Sequence, residues 1–446
     1  MAMAGAGMSP ALARRRLDLF AHATTGAMRL LTFGATAAFF FISPMLLYHW
    51  GVNYEGVGGS VLEKAHPGTW MLLLAIILRT LSRPNPLTIV NDFARPPAVA
   101  IYLFAWAFLM FFTIIIKKGP FTPLIDTFFM PVMAFILLLD APNADRRAIA
   151  LLLHFAMGAN ALLGLYEYLS GFRLTPLVAG TLLIEIDWRS TALLGHPLVN
   201  AGMTGAYALM LGIGGGQDLP KMLRPVALAL GLVSLIAFGG RSALVLTVIM
   251  LMGVAAWKLA RFLRGGRTNL LQIGVMCLVA PLAMGVLILA IDAGFFDALL
   301  QRFVDDQGSA KARVIMLQLF NYVGWEDLVF GPDQNLIASL QRTEGIEYGI
   351  ESFWIAFILT NGLAVAFMFF FALLGFSWQI VVHTRASSIL LLIYFYLLAS
   401  TSVSMSAKTC SFGMFLIMAM TLMRREPAAA REEFLGPSPR AGRSPR

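Results

Sequence analysis

The sequence predicts an all-α, polytopic membrane protein with about twelve transmembrane helices and a helical loop domain at the membrane surface. Of its 446 residues, 59% are hydrophobic and only 13% are charged, and the mean hydropathy is +0.77. Soluble domains carry about 25% charged residues, so this composition fits a lipid environment better than water. Apolar runs of about twenty residues, the length that a helix needs to cross a bilayer, recur along the chain.

About twelve apolar runs are long enough to be predicted as spans. They lie near 29–49, 62–80, 98–116, 121–139, 148–169, 198–214, 224–239, 242–262, 269–291, 351–376, 387–405 and 409–423. The second run is the weakest, because Lys64, His66 and Pro67 leave it a short apolar core. A small-residue cleavage site does not follow the first run, which is therefore interpreted as a helix and not as a signal peptide.

Lysine and arginine residues predict the orientation. With the amino terminus placed in the cytoplasm, about two-thirds of the 33 Lys and Arg residues fall in cytoplasmic segments, as the positive-inside rule expects. Residues 1–28 then form a cytoplasmic segment, 29–423 form the transmembrane domain, and 424–446 form a basic, disordered cytoplasmic tail. This topology accounts for the net charge of +9, so nucleic-acid binding is not predicted.

Two large loops, 170–197 and 292–350, fall on the outer side, and functional residues are expected there. The second contains a predicted amphipathic helix from Ala310 to Val323. Within the spans, the fifth helix carries His154, Asn160 and Glu167, of which the last two lie on one face, and helix-to-helix hydrogen bonds are expected of all three. The sequence has no Asp-x-Asp element and no Cys/His cluster, so we predict no metal and no cofactor.

The first candidate site residue is Arg189, which precedes the sixth predicted span. An arginine beside a polar, glycine-containing turn at a membrane surface can hold a phosphate through its rigid guanidinium fork. The alternative is local: Pro197 begins the helix, His196 or Asn200 accepts hydrogen bonds from the first amides, and Arg189 extends to the membrane surface.

The second candidate is Arg241, in a Gly-Gly-Arg-Ser turn between the seventh and eighth spans. The turn is so short that it places the cation at the membrane boundary, where a charge is costly without an anionic partner. An interfacial anchor is the alternative, although outer loops are the ones from which arginine is depleted.

Two further candidates lie in and just after the second large loop. Arg313, in the predicted amphipathic helix, either faces an anionic ligand or balances Asp305 and Asp306. Glu351 lies where the tenth predicted span begins, and a carboxylate there can act as a general base on a hydroxyl group. Its alternative role is that of a first-turn glutamate, which favours the positive end of a helix.

The order of these elements resembles the O-antigen ligase and polymerase superfamily of bacterial envelope polysaccharide assembly. In that family an outer-loop arginine with a Gly-x-Pro-Asn-like turn precedes a Ser-Arg or Gly-Arg between two helices, a large periplasmic loop and a glycine-rich helix. The similar segments here, between about 150 and 400, are Arg189 with Gly195-His196-Pro197 and Asn200, then Gly240-Arg241-Ser242-Ala243-Leu244, then 292–350 with Arg313 and Phe330-Gly331-Pro332, then Asn361-Gly362-Leu363.

The resemblance implies a metal-independent glycosyltransferase of the bacterial inner membrane that uses a glycan carried on undecaprenyl pyrophosphate. The family's arginines hold the pyrophosphate leaving group, which implies this role for Arg189, Arg241 and Arg313. Ligases of the family carry a His-Asn pair where this chain has Glu351-Ser352. We therefore predict a polymerase of exopolysaccharide, O-antigen or capsule repeat units, with Glu351 as the base. Its expected partners are membrane lipid and the chain-length regulator and flippase of the same pathway.

Three alternatives stay open at this point. The first is a ligase that transfers O-antigen to lipid A core. The second is a transporter or flippase, because twelve helices with both ends inside is a common transporter plan, although the candidate charges here gather at the outer face and not at the midplane. The third is a non-catalytic scaffold, which would leave the position of Arg241 unexplained.

Overall fold

The computed structural model describes most of the chain, and the helices form a bundle. The described residues are 10–56, 58–179, 182–184, 187–265, 288, 291–304, 309–346, 349–402 and 404–425. The predicted ninth span, 269–291, therefore lies almost wholly outside the described residues, as do 1–9 and 426–446 of the predicted terminal segments.

The described part of the chain is helical apart from one short hairpin. The helices are α1 Pro10–Phe41, α2 Pro44–His49, α3 Pro67–Leu81, α4 Ile89–Ala94, α5 Pro97–Phe111, α6 Thr122–Leu124, α7 Met130–Leu139, α8 Asn143–Ser170, α9 Pro197–Gly212, α10 Leu223–Phe238, α11 Arg241–Leu263, α12 Asp297–Val304, α13 Ser309–Gln318, α14 Trp325–Phe330, α15 Gln334–Thr343, α16 Phe353–Asn361, α17 Leu363–His383, α18 Ser388–Ala399 and α19 Ser411–Leu422. Helical turns of the wider π type continue α5 over Phe112–Ile116 and join α6 to α7 over Ile125–Phe129. The hairpin pairs β1, Leu177–Ala179, antiparallel with β2, Leu182–Ile184.

Several of these helices are apolar enough for a membrane. Within the described residues, five are long and apolar enough to cross a bilayer, namely Pro97–Ile116, Thr122–Leu139, Asn143–Ser170, Arg241–Leu263 and Leu363–His383. Four shorter apolar helices, α3, α10, α18 and α19, accompany them. The length and composition of these helices indicate a helical membrane protein, while the number of about twelve spans and their orientation stay predictions.

Two short helices, α9 and α19, form the centre of the bundle. Every residue of Ser411–Leu422 is buried, and α9 packs against α8, α10, α11, α18 and α19. Small residues permit this packing, because a Cβ atom added to Gly202 would lie 2.7 Å from Leu398 Cδ2 and one added to Gly205 would overlap Tyr394. Both helices are shorter than the thickness of the bilayer core. This short length is permitted because neighbouring helices enclose them.

The first predicted span differs from the observed helix. It was predicted over 29–49, whereas α1 runs from Pro10 to Phe41 and a break at Ser43 separates it from α2. The alanine, leucine and arginine residues before 29 have high helix propensity, so the helix begins well before the apolar run.

The tenth predicted span, 351–376, is divided in two. It consists of α16, a break at Gly362 with φ +84° and ψ 161°, and then the longer α17. The side-chain nitrogen of Gln334 donates to the carbonyl oxygens of Leu359 and Thr360 at 3.1 and 3.3 Å, so the last carbonyls of α16 are satisfied at the break. The membrane-crossing helix therefore begins at Leu363, later than the apolar run predicts.

The connections gather at two ends of the bundle. One end, which we call the pocket end, carries the described residues of the loops 50–66, 117–121, 171–196, 239–240, 309–352 and 400–410. Contacts join them: Lys117 Nζ donates to Gly331 O at 2.9 Å, and Lys408 Nζ donates to Tyr54 O at 2.7 Å. Loops at the opposite end make their own contacts, such as the 2.5 Å ion pair of Arg424 with Asp218.

The described residues between 309 and 352 form a helical cap at the pocket end. Its elements are α13, a 3₁₀ turn over Leu319–Tyr322, α14 and α15, so a helix is present where Ala310 to Val323 was predicted. The cap has a small core of its own, formed with one residue of α16, which comprises Met316, Leu319, Val323, Ile337, Ile346, Ile350 and Leu359. The Gly331-Pro332 turn rests on the break before α17, since a Cβ atom added to Gly362 would lie 2.7 Å from the carbonyl carbon of Phe330.

Candidate functional site

A pocket of about 90 Å³ opens at the pocket end, with room for several water-sized groups. Its charged lining residues are Arg189, Arg241, Arg313 and Glu351. The uncharged lining residues are Leu198, Ala201, Gly239, Gly240, Ser242, Ala243, Leu398, Thr401 and Ser402. The structure thus brings all four candidates from the sequence together, from four separate segments, while their chemical roles stay predictions.

The pocket is electropositive. Three arginines face one carboxylate among its lining residues. The helices α9, α11 and α16 all begin beside it, at Pro197, Arg241 and Phe353. Each helix N-terminus contributes about half a positive charge and unsatisfied backbone N–H groups. The arrangement favours an anionic ligand such as a phosphate.

Arg189 is held by a neighbouring carboxylate. Its Nε donates to both oxygens of Asp187 at 3.0 and 2.9 Å, and its Nη2 donates at 2.5 Å. Burial acts to raise the pKa of Asp187, but the hydrogen bonds from Arg189 lower it by more. The pKa of this carboxyl therefore lies below its usual value. Within the described residues Nη1 makes no hydrogen bond, so part of the fork is open to a ligand that enters the pocket.

The start of α9 follows the local interpretation of the sequence. Pro197 is its first residue, and His196 Nδ1 accepts a hydrogen bond from the backbone N–H of Leu198 at 3.2 Å. Burial, with Arg189 acting in the same direction, lowers the pKa of His196 to about 4, so this imidazole is neutral near pH 7. Because Arg189 also lines the pocket, the local and the functional interpretations of this segment are compatible.

The Gly239-Gly240 turn permits a close approach around Arg189 and Arg241. Gly239 has φ +62°, and a Cβ atom there would lie 2.6 Å from Trp188 Cη2 and 2.7 Å from Arg189 Cγ. A Cβ atom on Gly240 would overlap the side chain of Ala201 on α9. Only glycine fits this left-handed conformation and this space together, which brings Arg241, the first residue of α11, beside Arg189.

The segment after Arg189 is anchored by α8. Glu167, 3% exposed, accepts hydrogen bonds from the Ser190 hydroxyl at 2.5 Å and from the backbone N–H groups of Thr191 and Ala192 at 2.9 and 2.8 Å. The side-chain oxygen of Asn160 accepts a hydrogen bond from the backbone N–H of Leu193 at 3.0 Å. These two side chains therefore bind a loop, and for them the expectation of helix-to-helix hydrogen bonds was wrong. It is confirmed for His154 on the same helix, whose Nδ1 lies 2.8 Å from the hydroxyl of Tyr207 on α9. The sequence signal for such a role is a carboxylate within an apolar span.

The opposite wall of the pocket comes from the cap and from the loop after α18. Arg313 lies exposed on α13, and Glu351, half-buried, precedes α16 by two residues. Neither forms an ion pair with another described residue. The indole nitrogen of Trp354 donates to Ser400 Oγ at 2.8 Å, which ties the start of α16 to the loop that supplies Thr401.

Other parts of the described chain offer weaker candidates. Within the described residues, no three His, Cys, Asp or Glu side chains cluster closely enough to hold a metal ion. A larger cavity of about 350 Å³ lies at the carboxyl end of α11, beside Trp257, Arg261 and Arg264. Its lining residues come from that helix end alone, so it lacks the convergence of separate elements that marks a binding site.

No protein-family model matches this chain, and no curated protein matches it significantly. The functional conclusion therefore depends on the geometry of the pocket and on the order of the motifs that supply it.

Proposed function

We propose that the chain is a polysaccharide polymerase that transfers a growing glycan from undecaprenyl pyrophosphate to a sugar hydroxyl of another lipid-linked repeat unit. We place this reaction at the periplasmic face of the bacterial inner membrane. The observation that carries the proposal is the convergence of three arginines and one carboxylate on a pocket beside three helix N-termini.

The arginines bind the pyrophosphate of the donor in this reaction. The bond between the anomeric carbon and the phosphate oxygen breaks, and the leaving undecaprenyl pyrophosphate gains negative charge. Guanidinium groups that are already in place stabilise this charge in the transition state without reorganisation. Arg241 and Arg189 contact it from the bundle, and Arg313 contacts it from the cap.

Glu351 acts on the acceptor. The acceptor hydroxyl oxygen attacks the anomeric carbon and forms the new glycosidic bond, while its proton passes to the carboxylate of Glu351. Glu351 belongs to the wall formed by the cap and the start of α16, whereas Arg189 and Arg241 belong to the bundle. Donor and acceptor therefore enter between two different parts of the chain.

The position of the pocket favours a transferase over a transporter. Carriers bind their substrates near the midplane, at breaks in their helices. Here the charged residues lie in the loops, the cap and the helix starts at one end of the bundle, and the break at Gly362 is covered by the cap. Glu351-Ser352 in place of a His-Asn pair favours a polymerase over a ligase.

The decisive experiment measures polymer formation by the purified protein in proteoliposomes that contain lipid-linked repeat units. We expect Arg241→Ala to lower the rate by about 10²–10³-fold, the cost of one lost transition-state donor. Arg241→Lys should recover only part of this rate, because an ammonium group lacks the planar fork. Arg342→Ala, an exposed cap arginine that does not line the pocket, is the matched control.

The same variants distinguish the alternatives in cells. A deletion strain should accumulate single repeat units and lose long polymer, and only the wild-type chain and Arg342→Ala should restore it. Long polymer that forms but stays on its lipid carrier would make the chain a ligase. A glycan profile that is unchanged by the deletion would contradict both enzymes and favour transport.

A further inference from the structure

Glu167 is a buried carboxylate near the end of α8 that the proposed reaction does not use. It is 3% exposed, and no Lys or Arg among the described residues forms an ion pair with it. Its Oε1 accepts from the backbone N–H of Leu174 at 2.9 Å. Its Oε2 accepts from Ser190 Oγ at 2.5 Å and from the N–H groups of Thr191 and Ala192. Such a buried charge is expensive, and here hydrogen bonds alone stabilise it.

The segment bound by Glu167 is strained and leads directly to the pocket. Ala192 has φ +37°, a left-handed conformation that is unfavourable for a residue with a Cβ atom. Its N–H group is one of the donors to Glu167, so the carboxylate holds the strained residue in place. The N–H of Ser190 donates to the carbonyl oxygen of Ala237 at 2.9 Å, which joins the segment to the end of α10.

We propose that Glu167 is a positioning residue for the anion site. Its carboxylate fixes residues 190–192, and this segment in turn holds Arg189 against Gly239 at the edge of the pocket. Glu167 does not line the pocket itself and touches neither substrate. The inference rests on the proposed function only for the identity of the anion, a pyrophosphate.

The partners of Glu167 explain why a carboxylate is required. Donors face both of its oxygens, and a carboxylate is the side chain that accepts on both. A glutamine that keeps its oxygen toward Thr191 turns its NH₂ group against the N–H of Leu174. Turned the other way, it opposes the donors of the 190–192 segment. Either orientation leaves buried donors unsatisfied and loosens the segment.

Removal of the charge has two opposite effects on anion binding. Loss of a negative charge near Arg189 strengthens anion binding by electrostatics alone. Release of Arg189 weakens it by about tenfold to a hundredfold, the loss of one charge-assisted hydrogen bond. The direction of the change in pyrophosphate affinity therefore distinguishes a residue that positions Arg189 from one whose negative charge only reduces the positive potential of the pocket.

The test uses the purified full chain in nanodiscs and titrates inorganic pyrophosphate by calorimetry. We expect Glu167→Gln to weaken binding about as much as Arg189→Ala does, and the double variant to bind no more weakly than either single one. Leu153→Ala, fully buried on the same helix and away from the segment, is the control for general destabilisation. Ser190→Ala removes one donor and keeps the charge, so it provides a milder variant if Glu167→Gln does not fold.

The possible outcomes separate this inference from the proposed function. Unchanged or tighter pyrophosphate binding by Glu167→Gln, or by Ser190→Ala where the former does not fold, would overturn the positioning role, as would equal weakening by Leu153→Ala. If the wild-type chain binds pyrophosphate and Glu167→Gln weakens that binding, but no polymer forms from lipid-linked units, the positioning role stands and the polymerase proposal fails. If activity is present, Glu167→Gln should raise KM for the lipid-linked donor more than it lowers kcat.

Discussion

Replacement of Gly239 by alanine tests whether the turn before α11 controls the position of Arg189. Gly239 has φ +62°, and an added Cβ atom would lie 2.6 Å from Trp188 Cη2, 2.7 Å from Arg189 Cγ and 2.9 Å from Arg189 Cδ. Real Cβ atoms essentially never approach other atoms within 3.0 Å, so either the turn or the two side chains must move.

The expected cost has two parts. The left-handed backbone conformation costs about 1–2 kcal/mol for alanine. The overlap with Trp188 and Arg189 costs about 1–3 kcal/mol more, as overpacking does elsewhere. Displacement of Arg189 relieves part of the overlap, but it also moves this arginine from its position in the pocket. We expect a transfer rate lowered by about 10²–10³-fold, the value for a lost transition-state donor.

Gly171→Ala is a matched control for the backbone term. Gly171 has φ +73° at the end of α8, and an added Cβ atom would meet nothing within 4 Å. Both variants should unfold at a lower temperature than the wild-type chain, and Gly239→Ala at the lowest. Only Gly239→Ala should lose repeat-unit transfer.

A double-mutant cycle tests whether Gly239→Ala acts through Arg189. If the alanine acts by displacing Arg189, Gly239→Ala should have little further effect in an Arg189→Ala background. Additive losses would show that the glycine acts elsewhere. Equal activity of Gly239→Ala and Gly171→Ala would contradict the close packing of Arg189 on this turn.

Three further predictions follow from the same structure. Glu351→Gln should lower kcat for transfer by about 10²–10⁴-fold and leave pyrophosphate affinity nearly unchanged, and a wild-type kcat would exclude it as the base. Burial lowers the pKa of Lys408 to about 8 although Asp126 opposes it, whereas an unfolded lysine titrates near 10.4. At this residue the unfolded chain therefore binds more protons than the folded chain, so the unfolding temperature of the wild-type chain should rise relative to that of Lys408→Met from pH 8 toward 10. Gly362→Ala, with φ +84° and a Cβ atom 2.6 Å from Val329 O, should loosen the cap and expose it to limited proteolysis, whereas unchanged protection would contradict the docking of the cap on the helix break.

That the four candidate residues lie close together could be predicted from the sequence, because topology constrains their positions. In a chain that crosses a membrane repeatedly, alternate loops must meet at the same end. Arg189, Arg241, Arg313 and Glu351 all lie in loops, cap or helix starts of that end, and an arginine at the membrane boundary, as predicted for Arg241, is costly without an anion. Position along the chain and residue type therefore made them candidates, each with a local alternative, and the family resemblance supplied the expected role of the arginines.

The features that hold the site together could not be predicted in the same way. Glu167 is separated from Arg189 by more than twenty residues, and its partners are backbone N–H groups, which have no sequence signature. The predicted tenth span includes Asn361-Gly362 as part of one apolar run, although the helix breaks there and the cap packs against the break. Hydropathy averages over such a break, because the residues on both sides of it are apolar.

The charge of the pocket leads to a last prediction about stability. Three arginines and three helix N-termini converge on a small volume, and only Glu351 among the lining residues opposes them. Asp187 pairs with Arg189, and the positive charge of the other two arginines and of the helix N-termini attracts an anion that enters the pocket. A ligand that binds only the folded chain stabilises it by about 2.7 kcal/mol at a hundred times its Kd. Inorganic pyrophosphate should therefore raise the unfolding temperature of the wild-type chain more than an equal ionic strength of chloride does, and this difference should vanish in Arg241→Ala. An equal rise in both proteins would mean that pyrophosphate acts as a general salt, and the pocket would then not be an anion site.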